Sequence, residues 1–293
     1  MNGDLLAALS DYNIRLVASS TALLGASCGA VGTLMNLRKR ALAADAMSHA
    51  TLPGVAGAFL AWSALGGERS LGILLLGAIA SALLAAWCIA LLRRLPHVRE
   101  DTATGITLGT LFGLGIALVA IAQDTPTGGQ AGLGNFIFGK AASITSEDQR
   151  WIAAGVGLVA ACCLILAKEF RLLCFDENYA ASIGRRTLLL DGALMTLVAV
   201  VLVIGLQAVG AVLVLAMLVI PACAAQPWTH RFGAMMLLSA LLGSLSGATG
   251  TLLSASAPRL PTGAVIVLVA TALLIISITA SRLRERWLQR VRV

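Results

Sequence analysis

Residues Ala41–Trp62 read ALAADAMSHATLPGVAGAFLAW, an apolar stretch with an acid and an imidazole inside it. Asp45 and His49 are four residues apart, so on a helix their side chains share one face and can approach the same ion. Ionisable groups are costly to bury at bilayer depth and by default mark a transport pathway. A carboxylate with an imidazole suits Mn²⁺, Fe²⁺ or Zn²⁺, and two protein ligands leave coordination positions open. The pair is therefore a candidate site for a divalent metal ion in transit.

Two other interpretations of the pair remain open from the residues alone. Asp45 and His49 can form a buried hydrogen-bonded pair, or Asp45 can reach back toward the basic run 38–40. Pro53 and Gly54 follow one turn after His49, and proline removes a backbone donor and disfavours helix at the preceding residue. We therefore expect a helix break beside the pair. Broken helices at membrane depth commonly line substrate cavities.

The composition places the chain among integral membrane proteins. Of its 293 residues, 58% are hydrophobic and 12% are charged, and the mean hydropathy is +0.90. Nine apolar runs approach the length of about 20 residues that a membrane-spanning helix needs. They are Leu16–Leu37, Ala41–Trp62, Leu71–Leu92, Ala103–Ala122, Trp151–Ala167, Leu188–Leu206, Ala208–Ala225, Phe232–Leu253 and Gly263–Ser281. The prediction is an all-α, polytopic membrane protein with a single domain over 1–293 and about nine transmembrane helices.

The distribution of basic residues predicts the orientation of these helices. With nine spans, only five of the 21 Lys and Arg residues fall on one side: Arg15, Arg69, Lys140, Arg150 and Arg259. Cytoplasmic loops are the ones enriched in Lys and Arg, so the N-terminus is expected outside and the C-terminus in the cytoplasm. The net charge of +7 therefore reflects membrane topology, and no nucleic-acid partner is expected.

Three further features have simple structural interpretations. Segment 1–15 lacks the pattern of a cleavable signal and is expected to form an interfacial helix. Segment 282–293 is basic and amphipathic, which predicts a cytoplasmic tail anchored at an anionic membrane surface. The six cysteines show no C-x-x-C spacing and are expected to be packing residues.

Glycine pairs at G-x-x-x-G spacing recur inside the spans. They are Gly25/Gly29, Gly109/Gly113 and Gly243/Gly247. Such pairs let helix backbones approach closely. Packing within the chain and contact between subunits both fit this pattern.

Three other parts of the sequence contain charged residues or motif-like patterns. Asp191 is the only other charged residue inside a predicted span, and it is expected to be stabilised by the positive end of its helix. Residues 134–140 imitate the phosphate-binding pattern G-x-x-x-x-G-K, but Ala141 stands where a hydroxyl is needed, so nucleotide binding is not expected. In the segment 175–184, Asp176 is a candidate N-cap and Gly184 a candidate helix end, which predicts a short helix along the membrane.

DAMSHATLPGVAGAFLAW (Asp45–Trp62) resembles the most recognisable signature of one family, the membrane permeases of metal-ion ATP-binding-cassette (ABC) importers. The likeness continues through four further segments in the same order along the chain. These are REDTATGITLGTLFGLGIAL (Arg99–Leu118), KEFRLLCFDENYAASIG (Lys168–Gly184), VGAVLVLAMLVIPACAA (Val209–Ala225) and LPTGAVIVLVATAL (Leu260–Leu273). The resemblance implies a permease for manganese, zinc or iron(II) in the bacterial cytoplasmic (inner) membrane.

The resemblance also implies roles for individual residues. Asp45 and His49 match the family's proposed metal ligands, and the segment 170–187 is similar to the coupling segment that docks on a separate ATPase subunit. The implied contact residues are Phe175, Asp176, Glu177, Asn178, Tyr179 and Gly184. The implied fold is similar to that of vitamin B12 and iron-siderophore (type II) importers, although the nine spans lack one N-terminal helix of that ten-helix arrangement.

The implied assembly contains two cytoplasmic nucleotide-binding ATPase subunits, an extracytoplasmic metal-binding protein, and a second permease copy or a close relative. The chain itself is then no enzyme and holds no permanent cofactor, because the metal ion is its cargo. Residues 128–133 and 136–142 look more like the manganese/iron branch of the family than the zinc branch. Manganese is therefore ranked first.

A different class of function stays open, a proton-coupled secondary transporter of metal ions in which Asp45 and His49 relay protons and no ATPase is needed. An intramembrane metalloprotease would need a motif such as H-E-x-x-H with a third ligand. Of the three histidines, His97 and His230 fall in predicted cytoplasmic loops, which argues against a protease.

Overall fold

The protein is described by a computed structural model over residues 11–66, 70–123, 144–256 and 260–291, and its regular structure there is helical throughout. Eleven α-helices follow in chain order: α1 Tyr12–Leu37, α2 Ala41–Ala64, α3 Leu71–Leu92, α4 Glu100–Gln123, α5 Ser146–Ile165, α6 Ala167–Phe175, α7 Glu177–Ser182, α8 Thr187–Val209, α9 Ala211–Ala225, α10 Phe232–Ala255 and α11 Thr262–Val291. A short 3₁₀ turn, Gln226–Trp228, follows α9. The all-α prediction is confirmed.

Eight helices in the described part of the chain are long and apolar enough to cross a membrane. The ninth long helix is α2, whose mean hydropathy is lowered by Asp45, His49 and Pro53. Each of the nine predicted spans corresponds to one of these long helices. Two of the three residues that lower the mean hydropathy of α2, Asp45 and His49, are the candidate site residues.

Local sequence explains where several helices begin. The Asp11 side chain caps α1 by accepting from the Asn13 backbone N–H at 2.9 Å. Thr145 and Asp148 form a reciprocal capping box that starts α5. Because α1 begins at Tyr12, the last residues of the predicted interfacial segment 1–15 belong to this long helix; residues 1–10 lie outside the described part. The predicted tail is a helical continuation of α11 as far as Val291.

One group of helices is built around a very close crossing of α1 and α10. A Cβ added at Gly25 would overlap the carbonyl oxygen of Gly243, and a Cβ at Gly247 would overlap the carbonyl of Thr21. Ser239 Oγ donates to the Gly29 carbonyl oxygen across this crossing at 2.7 Å. These glycines therefore serve packing within the chain, as one of the two interpretations predicted. Helices α9 and α11 complete the group.

A second group consists of α2, α3 and α4. Gly54 of α2 and Gly77 of α3 face each other so closely that a Cβ on either would overlap the other's carbonyl oxygen. On the other side of α2, a Cβ at Gly115 of α4 would lie 2.8 Å from Pro53 Cδ. Helix α8 lies between the two groups and contacts α1, α2, α3, α5 and α9. More than half of its most apolar window is buried, 56%.

The prediction of a helix break at Pro53 and Gly54 is wrong. Helix α2 runs without interruption from Ala41 to Ala64 with Pro53 inside it. Proline removes one backbone donor and weakens the hydrogen bonds of the preceding turn, and such losses are tolerated in membrane helices when neighbours replace them. Here Ser81 Oγ of α3 donates to the Ala50 carbonyl oxygen at 2.5 Å, and the close contacts at Gly54 and Gly115 hold the helix in place.

Candidate functional site

Asp45 and His49 lie side by side on α2, as their spacing predicted. His49 Nε2 is 3.6 Å from Asp45 Oδ1, and the two side chains are 40% and 41% exposed. That distance is too long for a hydrogen bond, so the two groups are not locked to each other. Asp45 and His49 therefore do not form the buried hydrogen-bonded pair that was the first alternative. Both groups are free on one side to approach a common ion.

The second alternative, in which Asp45 reaches toward the basic run 38–40, is also not observed. Arg38 and Arg40 both pair with Asp191 of α8. Lys39 is exposed in the tight connection between α1 and α2, with a backbone φ of 57°. Asp45 therefore keeps its carboxylate next to His49.

Phe112 of α4 is a member of the site that sequence reasoning missed. Its ring meets the His49 imidazole edge to face, with centroids 5.1 Å apart and an interplanar angle of 71°. Such a contact restricts the orientation of the imidazole without using either ring nitrogen. No spacing rule connects the two residues, because they lie on different helices.

Asp45 and His49 are two candidate ligands, fewer than a complete coordination shell requires. Among the residues that the structure describes, no three His, Cys, Asp or Glu side chains come together as a metal-binding group. Zinc sites use four ligands and manganese commonly six, so Asp45 and His49 need further ligands from elsewhere. Beside Phe112, the α4 glycines 105, 109 and 113 have no heavy atom of the described residues within 4 Å of where a Cβ would lie. This glycine face of α4 is therefore open in a single chain, unlike the α1–α10 crossing.

The short helix predicted in the segment 175–184 is present as α7. Asp176 Oδ1 accepts from the Tyr179 backbone N–H at 2.8 Å, and Gly184 follows the helix with a φ of +80°. Both residues have the capping roles that the sequence indicated. Phe175, Tyr179 and Ile183 are 64%, 55% and 51% exposed. The helix therefore presents an uncovered apolar surface, with Glu177 and Asn178 also exposed.

Six charged side chains form a cluster at the end of the bundle where α1 meets α2, and we call them the ion cluster. Its members are Arg38, Arg40, Arg93, Glu100, Glu177 and Asp191. Arg40 pairs with Asp191, and its Nε lies 3.0 Å from Glu100 Oε1 in an ion pair whose angles are not those of a hydrogen bond. Asp191 was expected only to interact with its own helix terminus. It is instead the shared partner of three arginines.

Cys174, next to α7, yields a pH prediction. Burial raises the pKa of this thiol from its ordinary value of 9.0 to about 11, with Arg38 lowering it and Asp191 raising it further. The thiolate is the reactive form, so at pH 7 to 8 we expect alkylation about 100-fold slower than for an exposed cysteine. A variant that keeps only Cys174 would be treated with iodoacetamide between pH 7 and 11.

The rate at Cys174 should rise about tenfold per pH unit up to about pH 11, as expected for a thiol with the cited pKa. The matched control is Asn178→Cys at an exposed position, in a variant in which it is the only cysteine, and its rate should level off near pH 9. Equal rates for the two cysteines at pH 8 would show that Cys174 is not buried in solution.

One cavity in the described part of the chain lies away from Asp45 and His49. It has a volume of about 790 Å³ and lies between α3, α5 and α8, lined mostly by apolar residues such as Leu75, Trp151 and Ile204. Its few polar groups include Glu147, Asp148 and Gln207. An apolar cavity between membrane helices offers little to a hydrated cation, so we do not assign the metal site to it. The expectations for 128–133, 134–140 and 136–142 lie outside the described residues.

The family model described as the ABC 3 transport family matches residues 10–281 of this chain. The chain is 40% identical over 269 residues to the manganese transport system membrane protein MntC of Bacillus subtilis, covering 92% of this chain and 61% of that protein. It is also 40% identical over 274 residues to the zinc transport system membrane protein TroC of Treponema pallidum, covering 94% of this chain and 91% of that protein.

Two solved structures share this fold. One is PsaBC from Streptococcus pneumoniae in complex with Fab, with a TM-score of 0.80, 29% identity, and coverage of 94% of this chain and 95% of that one. The other is an inward-facing metal-chelate type ABC transporter, with a TM-score of 0.68, 16% identity, and coverage of 90% and 85%. The second likeness concerns the fold alone. Together they agree with the expected type II importer arrangement.

Proposed function

Since this chain belongs to the ABC 3 transport family and is a membrane permease of the metal ABC importer kind, we propose that it carries a divalent transition metal inward, manganese first and zinc or iron(II) next. The observation that carries this proposal is the pair Asp45 and His49, half-exposed on one face of α2 and not bonded to each other. A carboxylate and an imidazole in that state are available to an ion. The relatives' names include both manganese and zinc, so the metal itself is part of the proposal.

The permease works with other subunits. Two ATPase subunits bind and hydrolyse ATP in the cytoplasm, and the exposed Phe175, Tyr179 and Ile183 around α7 support docking at that helix. An extracytoplasmic binding protein delivers the metal. A second copy of the chain, or a close relative, faces α4 and supplies the ligands that one chain lacks; the open glycine face of α4 beside Phe112 supports this placement. The N-terminus is then external and the C-terminus cytoplasmic.

Transport at this site requires no bond-breaking chemistry in the chain. A 2+ ion loses part of its water shell on entering the membrane, and the Asp45 carboxylate and the His49 nitrogen compensate for that loss. Binding must be favourable enough to admit the ion and weak enough to release it. Two ligands per chain, on side chains with free space around them, suit this compromise. Movement of the helices changes the side of the membrane to which the pair is open.

Metal competition in a reconstituted complex tests this function. The permease with its ATPase and binding protein would be placed in vesicles, and ⁵⁴Mn uptake would be followed with and without ATP. We expect saturable ⁵⁴Mn uptake that needs ATP. Excess unlabelled manganese should lower this uptake at least about tenfold, and the same excess of zinc or iron(II) should lower it less, since ligand softness ranks the three ions differently. A larger reduction by zinc or iron(II) than by manganese would make that ion the preferred cargo. Uptake driven by a proton gradient without ATP would favour the secondary transporter instead.

A further inference from the structure

The ion cluster joins α7 to the helix that carries Asp45 and His49. It contains three arginines and three carboxylates, so its charges balance. Its members come from the α1–α2 connection, the end of α3, the start of α4, α7 and α8. A small cavity of about 20 Å³ lies among Arg40, Arg93, Glu100 and Asp191, about the room that one water molecule needs.

Arg38 holds α7 directly. Its guanidinium donates to the Leu173 carbonyl oxygen at 2.8 Å, to Glu177 Oε2 at 3.1 Å and to Asp191 Oδ1 at 3.1 Å. The side chain is only 6% exposed. A buried guanidinium with three acceptors in fixed directions is tightly constrained, because its planar donors must each meet an acceptor. Leu173 belongs to α6 and Glu177 to α7, so displacing α6 and α7 displaces Arg38 or breaks its bonds to these two residues.

Arg38 and Arg40 also lead directly into α2. The connection between α1 and α2 is only 38–40, and Asp45 follows in the second turn of α2. Arg40 pairs with Asp191 and Glu100, and Arg93 lies 3.6 Å from Glu100 Oε2 and 3.9 Å from Asp191 Oδ2. Arg40 before α2 and Arg93 after α3 thus pair with Asp191 of α8, and Glu100 of α4 is joined to α8 only through these two arginines. Helices α1 and α2 have few direct contacts with each other.

We infer that Arg38 and its partners in the ion cluster are positioning residues that transmit movement of α7 to the metal-bearing group α2, α3 and α4. This inference rests on the proposed function, since it assumes that ATPase subunits move α7 and that Asp45 and His49 bind the metal. Arg38 touches neither nucleotide nor metal in this arrangement. Its role is to make the position of α2 depend on the position of α7.

The test compares metal transported per ATP hydrolysed in vesicles containing the full complex. Arg38→Gln should lower this ratio at least about tenfold while ATP hydrolysis stays within about twofold of wild type. Arg38→Lys keeps the charge without the planar fork and should give an intermediate ratio. The matched control is Lys39→Gln, which removes the same charge from the same connection at an exposed position and should leave both activities unchanged.

A second variant guards against misfolding of the first. Glu177 is half-exposed, so Glu177→Gln removes only the α7 branch of the cluster and should lower the ratio about threefold. If Glu177 acts through Arg38, the double variant should be no worse than Arg38→Gln alone, because coupled residues are not additive.

Three outcomes would overturn the inference. The first is an unchanged ratio of metal transported to ATP hydrolysed in Arg38→Gln. The second is a fall of uptake and ATP hydrolysis together, in proportion to the amount of folded complex, and the third is fully additive losses in the double variant. The proposed function fails on a different result, normal uptake by a variant lacking Asp45 and His49. In that case, Arg38→Gln can still separate ATP hydrolysis from uptake.

Discussion

The double variant Asp45→Asn, His49→Ala is expected to lose metal uptake by about 100-fold while remaining folded. Even groups that only orient a metal ligand commonly change affinity by 10- to 100-fold, and here both ligands of one chain are removed. Because each side chain is about two-fifths exposed and they do not hydrogen-bond to each other, their loss leaves no buried group without a partner. Uptake of manganese, zinc and iron would be measured in vesicles, with melting temperature and ATP hydrolysis measured on the same complex.

Ser48→Ala is the matched control, since Ser48 lies between the two ligands on the same helix. Its hydroxyl is buried and, among the described residues, has no hydrogen-bond partner. Removing such a hydroxyl should leave stability unchanged or slightly higher. Normal uptake by the double variant would show that transport does not depend on the Asp45 and His49 side chains. An equal loss in Ser48→Ala would show that the loss is not specific to these two side chains.

Gly243→Leu is expected to prevent folding, whereas Gly109→Leu is expected to leave the single chain folded. Any Cβ at Gly243 overlaps backbone of Gly25, which cannot move aside as a side chain can. Overpacking in a tolerant core costs about 1 to 3 kcal/mol, so an overlap with backbone should cost at least about 3 kcal/mol. Gly109 has nothing within 4 Å of its Cβ position. Yield of monodisperse protein in mild detergent and melting temperature would be measured for both.

The same two variants test where a second copy of the chain makes contact. If α4 faces another subunit, Gly109→Leu should give folded protein that runs as a monomer, because a large side chain separates the two surfaces. A folded dimer from Gly109→Leu would exclude this face of α4 from the subunit contact. Folded protein from Gly243→Leu would contradict the close crossing of α1 and α10.

The helices could be predicted from the sequence because each span is a long apolar run whose length is set by the bilayer. The positions of Asp45 and His49 followed equally directly, since both lie on one helix and their spacing fixes their common face. The short helix α7 was predicted from Asp176 and Gly184 because capping is a local property. These successes all depend on residues close together in the chain.

Features that depend on packing between helices were not predictable in this way. Arg38 and Asp191 are 153 positions apart, and no local pattern indicates that they meet. Pro53 predicted a broken helix because the local effect of proline can be read from the sequence. The hydrogen bond from Ser81, a residue on another helix, to the Ala50 carbonyl cannot be read from it. The glycine pairs of α1, α4 and α10 have the same spacing, yet within the described part of the chain only the pairs of α1 and α10 meet another helix.

The ion cluster also joins residues that are synthesised at very different times. Arg40 precedes Asp191 by 151 positions, which at about 5 to 20 residues per second corresponds to roughly 8 to 30 s on the ribosome. Until Asp191 is synthesised, Arg38 and Arg40, joined later by Arg93, carry positive charge that Asp191 has not yet neutralised. Uncompensated arginines are what retain a loop on the cytoplasmic side during insertion. On the predicted topology, which places these arginines on the cytoplasmic side, the same three side chains act first as anchors for the early helices and later, once α8 arrives, as partners of one carboxylate.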